Sequence, residues 1–337
     1  MRKILSLLTV AAVCAAGASA ASTASLSSQR TTHQVVATIQ VGSSAAGLAF
    51  AGRTGLLYVA NIFSDDVSVI DPRSRSVVDT VPLAGGTACA HPLGVGYDKK
   101  HDVVYVACQQ YTTVTAIDAR TNIPIGDPIE VGSSPFGIAY DERNGDVYVA
   151  ISHQDDVAVV DGDTRKVVDR IKVGAAPFGI AYDGRRGFLY VTNSQSDTVS
   201  VIDGATNQVV RTLPVALGAL PSGRAPMGID YDVRTDTIYV ANFGGSSVTA
   251  IDASTGELVS ELFVGEGPLG LAVDKREGIL YVPTFFSGAV EIIDTVTNAA
   301  VESVLIGAGP VWAAADDRSG DVYVSHGDAV SVLSSSG

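Results

Sequence analysis

Apolar residues along this chain fall in short alternating runs bounded by turn formers, with no helical stripe after the N-terminal segment. One stretch reads Val173-Gly-Ala-Ala-Pro-Phe-Gly-Ile-Ala-Tyr-Asp183, then Gly187-Phe-Leu-Tyr-Val-Thr-Asn193, then Thr198-Val-Ser-Val-Ile-Asp203, then Val209 to Val215. Each run is rich in β-branched or aromatic residues and is closed by Gly, Asp, Asn or Pro, which is strand-and-turn chemistry. The four runs predict four strands, named A, B, C and D in chain order.

The unit recurs. A Tyr-Val pair stands at Tyr58, Tyr105, Tyr148, Tyr190, Tyr239, Tyr281 and Tyr323, at intervals of 47, 43, 42, 49, 42 and 42 residues. Seven copies of a four-strand unit predict an all-β fold, a seven-bladed β-propeller. The last copy runs out after its C strand, at Val330 to Gly337, while Val35-Val-Ala-Thr-Ile-Gln-Val41 at the other end matches Val167 to Val173. The N-terminal strand is therefore expected to complete the last blade, which hides an open sheet edge and closes the ring.

Tyr190-Val-Thr-Asn193, with its close variants Tyr58-Val-Ala-Asn61 and Tyr239-Val-Ala-Asn242, resembles the signature of the YVTN-repeat β-propellers. The resemblance covers residues 34–337. Such propellers include surface-layer proteins, periplasmic binding proteins, and relatives among lactonases and antibiotic-inactivating lyases. It implies the fold and leaves the activity open.

The segment before the repeats reads differently. Arg2 and Lys3 precede the apolar run Ile4 to Ala16, and Ala18-Ser-Ala20 is a small-residue cleavage site, so residues 1–20 are expected to be a signal peptide. Residues 21–33 read as a Ser/Thr-rich linker and residues 34–337 as the propeller. The mature protein is then secreted, or periplasmic and otherwise extracytoplasmic, with no integral membrane segment. Without the leader, 20 Lys+Arg face 36 Asp+Glu, a net charge of −16, which argues against nucleic acid as a partner.

Strands that alternate in direction put the D–A and B–C loops on one face, the top, and the A–B and C–D turns on the other. Fifteen of the 20 bases fall in the bottom turns, interleaved with acids. The top loops carry Phe63, Tyr111, Phe136, Phe178, Phe243, Phe285, Phe286 and Trp312, the acids Asp65, Asp66, Asp155, Asp156, Asp197, Glu266 and Asp328, and the base Arg224. Aromatic faces beside carboxylates suit a sugar, a peptide or an amphipathic cation. Phe136 and Phe178 are expected to wedge between blades. Trp312, Phe285, Phe286, Tyr111, Phe243, Arg224 and Glu266 are the candidate ligand-binding residues. The D–A loops of blades two and five are long, 83–94 and 215–228, and stand on opposite sides of the ring, as walls for a central depression.

Two of the three cysteines survive loss of the leader. Cys108 replaces the signature Asn at the end of strand B of blade two, and Cys89 lies just before strand A of the same blade. The two ends share an edge of the hairpin, so a Cys89–Cys108 disulfide is expected in an exported protein. His91, His153 and His326 lie on the top, His326 again in place of the signature Asn; they are candidate metal ligands only if they converge, and no cofactor is expected. Trp312 replaces an inner-strand glycine. Asp230 stands where Ala139 and Ala181 stand, and either bonds a neighbouring blade or titrates beside the channel. The reading is a monomeric, non-enzymatic binding protein for a small molecule, glycan or peptide. The alternatives are a lyase or lactonase using His91, His153 and Asp230, and an envelope structural protein that touches neighbours through its outer strands.

Overall fold

The computed structural model describes residues 32–83, 89–216, 223–307 and 309–336. The leader of residues 1–20, nearly all of the linker, and the tips of both long D–A loops lie outside the described residues.

Seven antiparallel sheets form a ring, and among the described residues there is no helix. Blade four shows the pattern: A is Pro177–Asp183, B is Phe188–Asn193, C is Thr198–Asp203 and D is Gln208–Pro214. The B strands are buried on both faces, so Leu189, Tyr190 and Val191 run apolar without alternation, whereas the outer D strands alternate with solvent. The A strands neighbour one another around a complete cycle, the seventh against the first. Closure is made by the chain's own start: Thr32–Gln40 pairs antiparallel with Ala329–Ser336, with Val35 opposite Leu333 and Ile39 opposite Val330. His33 on this strand reaches blade six, with Nε2 3.0 Å from the Tyr281 hydroxyl and Nδ1 3.2 Å from Glu302.

The recurring inner glycine follows from close approach. At Gly94 the carbonyl oxygen of Phe136 in the next blade occupies the place of a Cβ, and at Gly137 a Cβ would lie 2.5 Å from that of Phe178. Blade seven has no such glycine, and the Trp312 ring lies over Gly270 of blade six instead.

The timekeeping tyrosines are clamps between blades. Tyr58, Tyr148 and Tyr239 each donate a hydroxyl bond to an asparagine in the next blade's C–D turn: Asn122 at 2.6 Å, Asn207 at 2.8 Å and Asn298 at 2.8 Å. Those asparagines sit at positive φ, which their short polar side chains tolerate. Where the turn carries arginine instead, at Arg165, the facing hydroxyl of Tyr105 is buried without a hydrogen-bond partner among the described residues. Arg165→Asn supplies the acceptor and a residue suited to φ 55°. It is expected to stabilise the ring by about 1 kcal/mol, read as a raised denaturant midpoint with an unchanged slope.

Two blades depart from the plan. Strand D of blade two is split into Ile123–Pro124 and Ile129–Glu130 around a turn holding Gly126 at φ 67° and Pro128. Strand A of blade six is short, Ala272–Asp274. Its partner strand carries Pro283, which has no N–H to give the ladder. The preceding backbone is stitched sideways: Gly228 N–H donates to Leu269 and Gly270 N–H to Val311, each at 2.8 Å.

Candidate functional site

The top mouth of the channel is plugged. The residue preceding the inner glycine position in each blade, Ala46, Leu93, Phe136, Phe178, Met227, Leu269 and Val311, joins one buried apolar cluster with Ile62 and Phe285. Phe136 and Phe178 meet at 4.6 Å between ring centroids, and Trp312 stacks on Phe178 at 6.0 Å and 20°. Beneath the plug a narrow space of about 70 Å³ remains, lined by the inner glycines and Trp312.

Top loops are set by a repeated pair of backbone bonds between the B–C and D–A loops of one blade. In blade six Phe285 N–H donates to Gly267 (2.9 Å) and Phe286 N–H to Glu266 (3.1 Å); in blade five Phe243 N–H donates to Ala225 and Gly244 N–H to Arg224. The zip sends adjacent residues opposite ways. Phe285 is 8% exposed and belongs to the plug, whereas Phe286 is 51% exposed. Phe286 lies edge-on to Phe285 at 5.2 Å and tilted against Phe243 at 5.8 Å. Gly267, next to the exposed Glu266, abuts Phe286 and Phe243 and leaves room for both rings. Phe243, Phe285, Phe286 and Glu266 are therefore brought together at the border of blades five and six.

The other candidates are placed elsewhere or engaged. Tyr111 is 41% exposed on the B–C loop of blade two. Arg224 forms a close ion pair with Glu261 (2.6 Å), both largely buried, and Glu261 also accepts from Ser247 (2.9 Å). The Asp230 carboxylate accepts from its neighbour Tyr231 N–H (2.7 Å) and from Val273 N–H of blade six (2.9 Å). It joins the inner edges of the A strands of blades five and six. His91 lies edge-on to Phe63 at 5.7 Å, and His153 meets Ser133 Oγ at 3.3 Å. His326 fills the signature position by bonding Ser331 (2.8 Å), and burial pushes its imidazole below the usual value. Among the described residues no three His, Cys, Asp or Glu side chains gather as metal ligands.

The signature Asn is itself a turn lock: Asn193 donates to Thr198 and Ser200, both at 3.0 Å, and Asn61 and Asn242 act alike. In blade two the lock is covalent. Cys89 and Cys108 form a disulfide, with Cα atoms 4.9 Å apart.

Four of the top acids serve the architecture. Asp65, Asp155, Asp197 and Asp328 each accept a backbone N–H from the next blade's D–A loop: His91 (2.9 Å), Ala176 (2.8 Å), Ala225 (3.0 Å) and Ser44 (2.8 Å). Asp156 is held by Arg170 and Lys172, two bases at the top end of a D strand that a count of loop residues misses. What sequence reasoning missed on this face is apolar. Phe263 and Leu305, at equivalent ends of the D strands of blades five and six, are 77% and 76% exposed. The signal was present, since Pro82, Lys172 and Pro214 stand at that position in other blades.

No protein-family model and no curated protein matches the sequence. Solved structures do share the fold. A chain of Kuenenia stuttgartiensis hydrazine synthase superposes with a TM-score of 0.74 at 18% identity, over 87% of this chain and 95% of that one. The virginiamycin B lyase of Staphylococcus aureus gives 0.75 at 14% identity, over 90% and 99%. A streptogramin B lyase structure gives 0.76 at 14% identity, over 90% and 98%. At these identities the likeness is one of architecture.

Proposed function

We propose that this protein is an exported, non-enzymatic binding protein, and that a small molecule, glycan or peptide docks on its top face at the border of blades five and six. The observation that carries the reading is the ring-to-ring contact of Phe243, Phe285 and Phe286 beside the exposed carboxylate of Glu266. Aromatic faces supply contact area at low entropic cost, and the carboxylate favours a hydroxyl-rich or cationic group. Three departures from the repeat also belong to these two blades: Asp230 and the long loop of blade five, and Pro283 of blade six. The Cys89–Cys108 disulfide supports export to an oxidising compartment.

A lyase acting on the same face is the competing reading, prompted by the names of two structural neighbours. Its acid–base groups need mutual reach, whereas His91, His153 and Asp230 stand on three blades, and Asp230 is bonded to backbone.

A thermal-shift panel of sugars, short peptides and aromatic amines tests the proposal. A compound that binds raises the melting temperature of the wild type, and Phe286→Ser removes that shift. Trp312→Ala, which undermines the plug beneath, weakens binding without opening the ring. A panel with no shift, or a shift that survives Phe286→Ser unchanged, overturns the reading.

A further inference from the structure

The bottom face differs from the top in the chemistry of its turns. The A–B turns place a basic residue at one equivalent position in every blade: Arg53, Lys100, Arg143, Arg185, Arg234, Arg276 and Arg318. In four blades it ties that blade to the next. Arg143 donates to the carbonyls of Gly184 and Arg185, Arg234 to that of Arg276, Arg276 to that of Arg318, and Arg318 to that of Gly52. In blade four the adjacent Arg186 takes the role through Asp236. The series of guanidinium-to-carbonyl clamps breaks at blades one and two. Lys100 turns to Asp163 (2.9 Å), and Lys99 pairs with Glu142. The guanidinium of Arg53 makes no hydrogen bond or ion pair among the described residues; only its backbone N–H is engaged, by the Tyr97 hydroxyl at 3.3 Å.

A hollow of about 520 Å³ opens at this break, lined by Arg53, Tyr97, Lys99, Lys100, Tyr140 and Glu142. Gly52 completes the lining and keeps the space clear: a Cβ there would touch only the Tyr97 ring, at an ordinary 3.5 Å. The Tyr97 hydroxyl is committed, since it donates to Asp102 at 2.7 Å, so what it offers a ligand is its ring. Both lysines face a carboxylate partner, which leaves Arg53 as the uncompensated charge of the lining.

We propose that this hollow binds a small aromatic monocarboxylate. The carboxylate engages the two-pronged guanidinium of Arg53, a planar geometry that a point charge does not match. The ring rests on Tyr97 and Tyr140. The volume falls in the range of small-ligand pockets, roughly 300–1,000 Å³. A chain of formal net charge −14 repels polyanions and tolerates a single negative charge beside one exposed arginine. This site is on the opposite face from the proposed top-face site and stands or falls independently of it.

Calorimetric titration with benzoate tests the assignment, with benzamide and cyclohexanecarboxylate as comparators. The expected result is saturable benzoate binding, at least about tenfold weaker for benzamide, which lacks the charge, and weaker for cyclohexanecarboxylate, which lacks the flat ring. Arg53→Gln lowers benzoate affinity by about tenfold or more. Gly52→Val, which fills the hollow where the backbone accepts a side chain, removes binding. Both variants keep the wild-type melting temperature in the absence of ligand, which separates loss of the site from loss of the fold. Benzoate that fails to saturate, benzamide that binds equally well, or Arg53→Gln with unchanged affinity overturns the proposal.

Discussion

Deleting the strand Thr32–Gln40 is expected to abolish the single cooperative melting transition of the ring. Among the described residues that strand is the only one paired with the outer edge of Ala329–Ser336. It covers Val330, Val332 and Leu333, each at most 1% exposed, and its own Ile39 is 5% exposed. Burial of one such side chain contributes about 1.5–3 kcal/mol, so losing several approaches the 5–15 kcal/mol by which a whole domain is stable. The cut also takes away His33, which joins blade seven to Tyr281 and Glu302 of blade six. Scanning calorimetry of the truncated chain should show a broad or absent transition, and gel filtration should show association through the bared edge. A synthetic peptide of residues 32–41 added in trans should restore the transition by strand addition. A truncated chain that melts sharply at the wild-type temperature contradicts closure by this strand.

Reduction of Cys89–Cys108, or Cys89→Ala, is expected to cost about 3 kcal/mol of stability. The bond closes a loop of 19 residues of sequence separation, and loop-closure entropy for that length gives this magnitude. It also replaces the signature Asn lock at the end of strand B, and both cysteines are buried. Without the bond, and among the described residues, the D–A loop of blade two is held to the end of strand B only by backbone bonds, such as Gln109 N–H to His91. Guanidinium denaturation with and without reductant measures the difference, and mass-spectrometric thiol mapping of the oxidised protein should find Cys108 blocked. A midpoint unmoved by reduction, or a free thiol at Cys108, contradicts the prediction.

Strand order, blade number, closure and the disulfide were legible because each follows from local periodicity counted over seven repeats. Partner choice was not. Asp155 and Asp156 are neighbours of one type, yet one caps the loop of blade four and the other is held by Arg170 and Lys172. A carboxylate's partner depends on how loops of two blades meet, which spacing does not encode. Phe285 and Phe286 differ for a related reason: the backbone zip to Gly267 and Glu266 turns one ring down into the plug and the other up to solvent. The basic residues of the bottom read as a solvated, mixed surface. At the equivalent A–B position four of the seven are bonds between blades, and Arg53 stands out only against that series. The short strand A of blade six is readable in principle, since Pro283 interrupts a B strand, whereas the backbone donor that Asp230 takes from the next blade, Val273, is not.

The central claim is that ligand contact concentrates at the aromatic border of blades five and six. Trp312 is the sole tryptophan and packs against the same cluster as Phe243 and Phe285, so its fluorescence reports on that sector. The decisive measurement is a fluorescence titration of wild type, Phe286→Ser and Tyr111→Ser with the compound that gives the largest thermal shift. The account predicts about a tenfold or greater loss of affinity in Phe286→Ser, equivalent to about 1.4 kcal/mol, and none in Tyr111→Ser. Equal losses in both, or a loss confined to Tyr111→Ser, would contradict it.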